Sequence, residues 1–395
     1  MNRVVARSSK YVFGCGLALT LFVPIATAYA QNTTLYSFTG GNDGGNPPCG
    51  LISGGKGVPP GKVRFFGATY EGGTGGYGTV YEVENTGFET VLYSFTGGSD
   101  GNSPQACPIT DATGNFYGTT EEGGTYGYGV VYKLTPGGTE TVLHSFTGGT
   151  DGGYPFANLV MDASGNLYGT TVEGGGNGLG VVFEVSTHGT ESVLYSFGGS
   201  DGAYPRAGLV MDKAGNFYGT TEGGGAQGLG VVFKVTSGGT EIVLHSFAGG
   251  SDGATPVASV TFDKAEDLYG TTLGGGTSDE GTVFKISHKG KEAILHSFTG
   301  GSDGSEPFAG VVKKGAYLYG TTFEGGASDF GTVFKLPAKG GDDTVLYSFT
   351  GGSDGGLPDG TVLDQGGNLF GTTFAGGDPG CTDGEGCGVV FEITP

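Results

Sequence analysis

The chain has 395 residues, of which 88 are glycine, and it carries a formal net charge of −21 at neutral pH. So acidic a chain is poorly suited to bind nucleic acids or anionic membrane surfaces, because their phosphate groups attract Lys and Arg. Tryptophan is absent, which disfavours repeat families whose signature includes that residue.

Residues 1–30 predict a secretory signal peptide. Arg3, Arg7 and Lys10 form a basic start, an apolar stretch follows, and small residues end at Ala30. An uncleaved N-terminal anchor is the alternative. After cleavage the formal net charge becomes −24. No other apolar stretch is long enough to span a membrane. We therefore expect a periplasmic or extracellular protein.

Residues 31–395 are predicted to form one domain of tandem repeats. The pattern L-[YH]-S-F recurs seven times, at spacings of 57, 51, 51, 50, 51 and 51 residues. The copies begin at Leu35, Leu92, Leu143, Leu194, Leu244, Leu295 and Leu346. A period of this size is typical of propellers, solenoids and arrays.

Each copy contains four short β-prone segments bounded by Gly, Asn, Asp or Ser. In the third copy these are "FANLVMD", "NLYGTT", "GVVFEV" and "ESVLYSF". Four antiparallel strands per copy is the content of one propeller blade. The sequence therefore predicts an all-β, seven-bladed β-propeller, with a parallel β-helix as the alternative.

The order of the segments predicts how the ring closes. The mature chain opens with "TTLYSF", a fourth strand, and ends with the first three strands of a copy. We expect the N-terminal strand to complete the last blade, which removes open sheet edges.

The connections fall into two sets. Those between strands one and two and between strands three and four are short turns, whereas the blade-to-blade loops and the loops between strands two and three are longer and rich in glycine. We expect any functional face to be the one that carries the long loops.

One aspartate recurs in every blade-to-blade loop, always before glycine and followed four residues later by proline. These residues are Asp43, Asp100, Asp151, Asp201, Asp252, Asp303 and Asp354. The favoured interpretation is that each aspartate fixes a turn. The alternative is a ligand-binding ring, with Ca²⁺ held by aspartate and loop carbonyl oxygens; otherwise no cofactor is expected.

The second set of long loops carries acids and tyrosines. The acids are Glu71, Glu122, Glu173, Glu222, Glu324, Asp279, Glu280 and Asp329. They predict a solvated acidic rim. The tyrosines are Tyr70, Tyr77, Tyr126, Tyr128, Tyr154 and Tyr204. Loop packing is the favoured role for them, and stacking against carbohydrate is the alternative.

Four cysteines remain after the signal peptide, an even count that suggests disulfides in an exported chain. Cys381 and Cys387 bracket a short loop, and Cys49 and Cys107 occupy equivalent regions of neighbouring copies. These two pairs are the favoured disulfides, and the two other pairings stay open.

Catalytic motifs are few. His144, His245 and His296 fill a position where other copies have Tyr, which indicates packing, and no nucleophile, zinc-binding or phosphate-binding motif is present. An enzyme needs unlike residues in one place, and the least regular segments are 47–70 and 376–388. They adjoin in a closed ring, so a specific site is expected to straddle that junction.

The motifs "LYSFTGGSDGxxP", "GNLYGTTxxGGxxxxGVVF" and "GTETVLYSF" resemble the repeat of the choice-of-anchor GloVer-containing proteins. The resemblance covers residues 35–395 and implies an exported, propeller-like protein without an established biochemical role or catalytic residues. The usual anchoring tail is missing after "VVFEITP", which favours a free exported form.

From these observations we predict a monomeric binding or interaction module. Its partner would be a glycan, a protein or a cation on the Gly- and Asp-rich face. The alternative is a propeller-type hydrolase or lyase, with or without assistance from a metal ion.

Overall fold

The computed structural model describes residues 30–54, 61–381 and 385–395. They form seven four-stranded antiparallel sheets, arranged in chain order as the blades of a closed ring. This confirms the predicted seven-bladed propeller. The predicted signal peptide lies outside the described residues, except for its last residue. None of the described residues belongs to a helix that could cross a membrane.

The two inner strands of each blade differ in length. The first strands of blades 1 to 7 are Ile52–Ser53, Ile109–Thr110, Val160–Met161, Val210–Met211, Thr261–Phe262, Val312–Lys314 and Leu363–Gln365. The second strands are Arg64–Thr69, Phe116–Thr120, Leu167–Thr171, Phe217–Thr221, Leu268–Thr272, Tyr317–Thr322 and Asn368–Thr373.

The third and fourth strands have about the same length as the second strands. The third strands are Thr79–Glu84, Val130–Leu134, Val181–Val185, Val231–Val235, Thr282–Ile286, Thr332–Pro337 and Val389–Thr394. The fourth strands are Glu89–Ser94, Glu140–Ser145, Glu191–Ser196, Glu241–Ser246, Glu292–Ser297, Thr344–Ser348 and Gln31–Ser37. Within the described residues, the helical content is one short 3₁₀ turn, Gly250–Asp252.

The ring closes through the N-terminal strand, as the sequence predicts. Gln31–Ser37 pairs antiparallel with Val389–Thr394, and Thr33 lies opposite Glu392. The last blade is thus built from both ends of the described chain. The N-terminal strand covers the edge of Val389–Thr394 that would otherwise stay unpaired.

The innermost strand is shorter than the sequence predicts. "FANLVMD" was expected to be extended along its length, but only Val160–Met161 pairs as a strand. The preceding residues, Phe156 and Asn158, line the central channel, where seven blades converge. Side-chain pattern alone cannot separate a strand from an extended segment that has no partner strand.

Neighbouring blades pack through aromatic side chains. The phenylalanine after each fourth strand contacts the aromatic residue in the third strand of the next blade, with ring centroids 4.9 to 5.3 Å apart. The pairs are Phe38–Tyr81, Phe95–Tyr132, Phe146–Phe183, Phe197–Phe233, Phe247–Phe284, Phe298–Phe334 and Phe349–Phe391. Each fully buried phenylalanine contributes roughly 1.5–3 kcal/mol, so the core exists only once the blades stack.

The glycine of each "YGTT" or "FGTT" segment makes room for that aromatic residue. Gly169 pairs with Phe183 across the sheet, and a Cβ atom at Gly169 would lie 2.6 Å from the Phe183 ring. Any side chain there would displace the ring, so the position requires glycine.

A second inter-blade contact uses threonine. The first threonine of the "GTT" segment donates a hydrogen bond to a carbonyl oxygen at the channel side of the next blade, for example Thr170 to Ala207 at 3.0 Å. The donors are Thr119, Thr170, Thr220, Thr271, Thr321 and Thr372. Blade 1 has Ala68 at this position.

Candidate functional site

The long loops lie on one face of the ring and hold one another in place. The blade-to-blade loop pairs with the next blade's loop between strands two and three, as in the Gly153–Glu173 bridge. The same loop is also bonded to the preceding blade, because the Tyr154 N–H donates to the Tyr128 carbonyl oxygen at 2.9 Å. We call this side of the propeller the loop face.

The residue before each loop proline has a left-handed backbone conformation. These residues are Asn46, Ser103, Tyr154, Tyr204, Thr255, Glu306 and Leu357, with φ from 51° to 59°. Their N–H and C=O groups are both bonded to flanking loops, as Tyr204 is to Leu179 and Glu222. The hydrogen bonds offset a conformation that costs non-glycine residues about 1–2 kcal/mol.

The seven repeated aspartates lie at the outer part of the loop face, beside the fourth strands. The Asp43 carboxylate accepts hydrogen bonds from the Thr39 N–H, the Thr39 hydroxyl and the Tyr36 hydroxyl. The other six aspartates accept equivalent bonds from their own loop. Five of them also accept a bond from the preceding Tyr or His, and Asp303 has His296 Nε2 at 3.5 Å instead. Each carboxylate is therefore used in fixing its loop, and a ligand at these residues stays a prediction.

The three histidines of the L-H-S-F copies share this arrangement. His144 Nε2 lies 3.3 Å from Asp151 Oδ2, and the His144 ring packs edge-on against Phe146 at 4.7 Å. Burial lowers the pKa of His144, although Asp151 opposes that effect. His245 and His296 have the same neighbours in their own blades.

A second set of acids faces these aspartates from the fourth strands. Burial, followed by the negative charge of Asp43, raises the pKa of Glu89 to about 7. The corresponding residues of the next three blades show the same shift for the same reasons: Glu140, Glu191 and Glu241. These half-buried carboxyl groups take up protons near neutral pH.

The cavity in the middle of the loop face is the channel mouth, and it has a volume of about 210 Å³. All seven blades line it with the segment that follows the loop proline. The residues directly after the proline are Pro48, Gln105, Phe156, Arg206, Val257, Phe308 and Asp359. Those two positions further along are Gly50, Cys107, Asn158, Gly208, Ser259, Gly310 and Thr361.

The channel mouth does not follow the sevenfold symmetry of the ring. Between its two variable positions lies a small buried residue in every blade, which is alanine in five of them. The variable positions, by contrast, hold amide, guanidinium, carboxylate, hydroxyl and aromatic groups side by side. The unlike residues that a specific site requires are therefore gathered here.

Two of the polar residues are held by acids from the same blade. Gln105 Nε2 donates to Glu121 at 2.8 Å, and Arg206 forms an ion pair with Glu222. The Arg206 guanidinium also lies over the Phe156 ring, 5.2 Å from its centroid. These contacts fix the Arg206 side chain in the mouth and leave donor groups free for a ligand, because guanidinium has five N–H bonds.

Asp359 lies on the side of the ring opposite Arg206, three blades away. The neighbouring blades carry Phe308 and Pro48 at the same position, and among the described residues no hydrogen bond or ion pair reaches Asp359. Burial among these neighbours raises the pKa of Asp359 to about 7. A partly accessible carboxyl group that is half-protonated near neutral pH can both donate and accept a hydrogen bond.

Both predicted disulfides are confirmed. Cys49–Cys107 joins blades 1 and 2 at the channel mouth, and Cys381 is bonded to Cys387. Parts of the irregular segments 47–70 and 376–388, namely 55–60 and 382–384, lie outside the described residues. A site straddling their junction stays a prediction.

Metal ligands do not converge in the part of the chain that the structure describes. No group of three or more His, Cys, Asp or Glu side chains there could hold a metal ion together. Calcium binding at the repeated aspartates stays a prediction, and each blade-to-blade loop would supply one of these carboxylates.

Comparisons with known proteins address family and fold. The Gloeobacter/Verrucomicrobia repeat profile matches residues 20–162, 61–272, 108–321 and 264–395. No curated protein sequence shows significant similarity to the chain.

Solved structures share the architecture at low sequence identity. The extracellular domain of a candidate one-component system from B. thetaiotaomicron has a TM-score of 0.55 at 8% identity, covering 92% of this chain and 40% of that one. A candidate 6-phosphogluconolactonase from Bacteroides uniformis has a TM-score of 0.49 at 15% identity, covering 78% and 88%. A gluconolactonase from Xanthomonas campestris has a TM-score of 0.39 at 16% identity, covering 72% and 82%. At 8% identity, the similarity to the extracellular domain from B. thetaiotaomicron supports the fold alone.

Proposed function

This chain belongs to the Gloeobacter/Verrucomicrobia repeat family, and we propose that it is a binding module that holds a small, polar, hydroxyl-rich ligand at the channel mouth. The observation that carries the proposal is the loss of sevenfold symmetry at this place. Packing explains the repeated residues, whereas Gln105, Arg206 and Asp359 occupy one structural position with three different chemistries.

The chemistry of the mouth suits a ligand with several hydroxyl groups. Gln105 and Arg206 offer donors from one side, and Asp359 offers a donor or an acceptor from the other. Phe308 adds an apolar surface beside them. A few placed polar groups within an aromatic lining is the usual composition of a small-molecule site.

Binding fits this mouth better than catalysis does. Arg206 and Gln105 are each engaged with a glutamate, and no nucleophile–base pair is found among the described channel residues. The two disulfides support the expectation that the protein works in an oxidising compartment, the periplasm or the exterior.

The proposal is tested by thermal shift with a panel of monosaccharides, disaccharides and polyols. A ligand that binds only the folded state stabilises it by about 2.7 kcal/mol at 100 times its dissociation constant. We expect at least one compound to raise the melting temperature of the wild type, and Asp359→Asn and Arg206→Gln to remove that increase. Asp354→Asn, at the outer aspartate of the adjoining loop, is the control and keeps it. Equal shifts in all four proteins would overturn the proposal.

A second candidate function is a hydrolase or lyase, and Asp359 favours it. A carboxyl group with a pKa near 7 that faces a cavity without a partner can protonate the oxygen of a leaving group. Assays with chromogenic glycosides and esters would show turnover that Asp359→Asn abolishes and that falls above about pH 7. Absence of turnover in the wild type leaves the binding function.

A further inference from the structure

Resting on the proposed function, we propose that the channel ligand is the end of an extended, neutral glycan chain, whose following units lie over tyrosines of blades 2 to 4. These tyrosines are Tyr126, Tyr128, Tyr154 and Tyr204, and we call them the tyrosine strip. Tyr126 is 59% exposed and Tyr204 is 41% exposed, so both offer ring surface to solvent.

Two members of the strip meet across neighbouring blades. Tyr128 of blade 2 and Tyr154 in the loop that enters blade 3 meet edge to face, with ring centroids 5.4 Å apart. Backbone bonds hold both rings in register, because the Tyr154 N–H donates to the Tyr128 carbonyl oxygen. Tyr204 occupies the same loop position one blade further on.

The strip also joins the channel mouth. Tyr204 and Arg206 flank one proline, and Tyr154 and Phe156 flank another. The Tyr204 carbonyl oxygen accepts a hydrogen bond from the Glu222 N–H at 3.1 Å, and Glu222 is the partner of Arg206. A chain that leaves the mouth on the Arg206 side therefore meets the strip directly.

At the position before the loop proline, tyrosine occurs in the loops that enter blades 3 and 4 and in no other loop, which gives a bound chain a direction. At the loop position of Tyr154 and Tyr204, the loops that enter blades 5, 6 and 7 carry Thr255, Glu306 and Leu357. Gln105, Asn158 and Arg206 lie on the same three blades as the strip. Aromatic and hydrogen-bonding side chains thus alternate along blades 2 to 4.

This alternation is what a glycan requires, because a sugar ring has an apolar C–H face and an edge of hydroxyl groups. Tyrosine offers a ring face together with a polar tip. The cavity of about 210 Å³ is smaller than a typical small-molecule site, so only the end of a chain enters it.

The charges around the strip favour a neutral glycan over an anionic one. Glu121, Glu122 and Glu173 lie close enough to Tyr154 to contribute to its raised pKa, after burial and Tyr128. The whole chain has a formal charge of −21. Uronate or phosphate groups would be repelled at this surface.

The experiment titrates oligosaccharides of one to six units into a protein of residues 31–395 by calorimetry. The probes are cello-, xylo-, manno- and chito-oligosaccharides, with oligogalacturonates as the anionic series. We expect one neutral series to gain affinity with length, and Tyr126→Ala and Tyr204→Asn each to reduce affinity for the longest member about two- to tenfold. Asparagine is among the non-glycine residues that adopt the left-handed backbone of position 204 most readily.

The control is Phe88→Ala, which removes a 67% exposed aromatic side chain from a short turn on the opposite face. It should bind like the wild type. If Asp359→Asn abolishes binding of all lengths but the tyrosine variants bind long chains normally, the strip is excluded and the channel site stands. If the anionic series binds and the neutral series do not, or if no series gains affinity with length, the assignment of a neutral glycan chain is overturned.

Discussion

Cys49 and Cys107 are bonded across the junction between blades 1 and 2, with Cα atoms 5.5 Å apart, where blade 1 has Ala68 in place of the inter-blade threonine. The six other junctions each have a threonine-to-carbonyl hydrogen bond. A covalent bond thus connects two blades at the described junction that lacks this hydrogen bond.

Removing this disulfide should weaken the ring more than removing the other one. The Cys49–Cys107 bond spans 58 positions and the Cys381–Cys387 bond spans 6. Loop-closure entropy gives losses of about 4 and about 2 kcal/mol respectively. Urea unfolding of the two double Cys→Ala variants measures both, and equal losses would contradict the estimate.

A threonine at position 68 should partly replace the missing disulfide. Adding Ala68→Thr to the Cys49→Ala/Cys107→Ala variant supplies the hydroxyl that the other junctions use, and should recover about 1 kcal/mol. The same substitution in the wild type is the control. No recovery, with an unchanged fold, would show that the geometry of this junction differs from the others.

Thr255→Asn should stabilise the protein by roughly 1 kcal/mol. Thr255 is β-branched and has a φ of 57°, where such a side chain is strained, whereas asparagine tolerates this region. Asn46 fills the equivalent position of the first loop. The free energy of unfolding checks the prediction, with Thr255→Val as the destabilising counterpart. A loss of stability in Thr255→Asn would contradict it.

Stability should fall as the pH rises from 5 to 8. Glu89, Glu140, Glu191 and Glu241 have a folded-state pKa of about 7 against an ordinary value of 4.5. A group whose pKa is raised by folding stabilises the protein below its unfolded pKa, and this contribution is lost as the pH rises through 7. The lowered pKa of His144 makes stability rise with pH, but this is one group against four glutamates.

The matched variant is Glu191→Gln, which keeps the shape of the protonated side chain. Melting temperatures across this pH range should show a smaller decline in Glu191→Gln than in the wild type. An identical decline in both proteins would mean that other groups govern the pH dependence.

Calcium should leave the melting temperature unchanged. Each repeated aspartate already accepts hydrogen bonds from its own loop and has a Tyr or His side chain beside it, as Asp354 has Thr350 and Tyr347. A cation would have to displace these donors while gaining one carboxylate per loop, and calcium requires 6–8 oxygen ligands. Scans in EDTA and in millimolar Ca²⁺ measure this. A clear rise with Ca²⁺ would establish the loops as a metal site.

The blades and the closure could be predicted from sequence because their signals are local. Turn residues, β-branched runs and a fixed period recur in each copy, and the position of "TTLYSF" before the first complete copy identifies the closing strand. The left-handed residues before proline could not be predicted this way. Their conformation depends on hydrogen bonds from two other loops, as at Tyr154.

The channel mouth was missed because its residues are distant in sequence. Gln105, Arg206 and Asp359 come together only when seven first strands converge on one axis. A signal was nevertheless present in the aligned copies. The residue after the repeated proline changes chemistry from copy to copy, whereas the flanking positions hardly vary.

The most direct test of the account is hydrogen exchange of residues 31–395 with and without a saccharide that raises the melting temperature. Binding at the channel mouth predicts slower exchange in the segments after the loop prolines, around Gln105, Asn158, Arg206 and Thr361. The fourth strands and the loops that hold the repeated aspartates should exchange as before. Protection confined to the aspartate loops or to the short turns of the opposite face would contradict a site at the channel mouth.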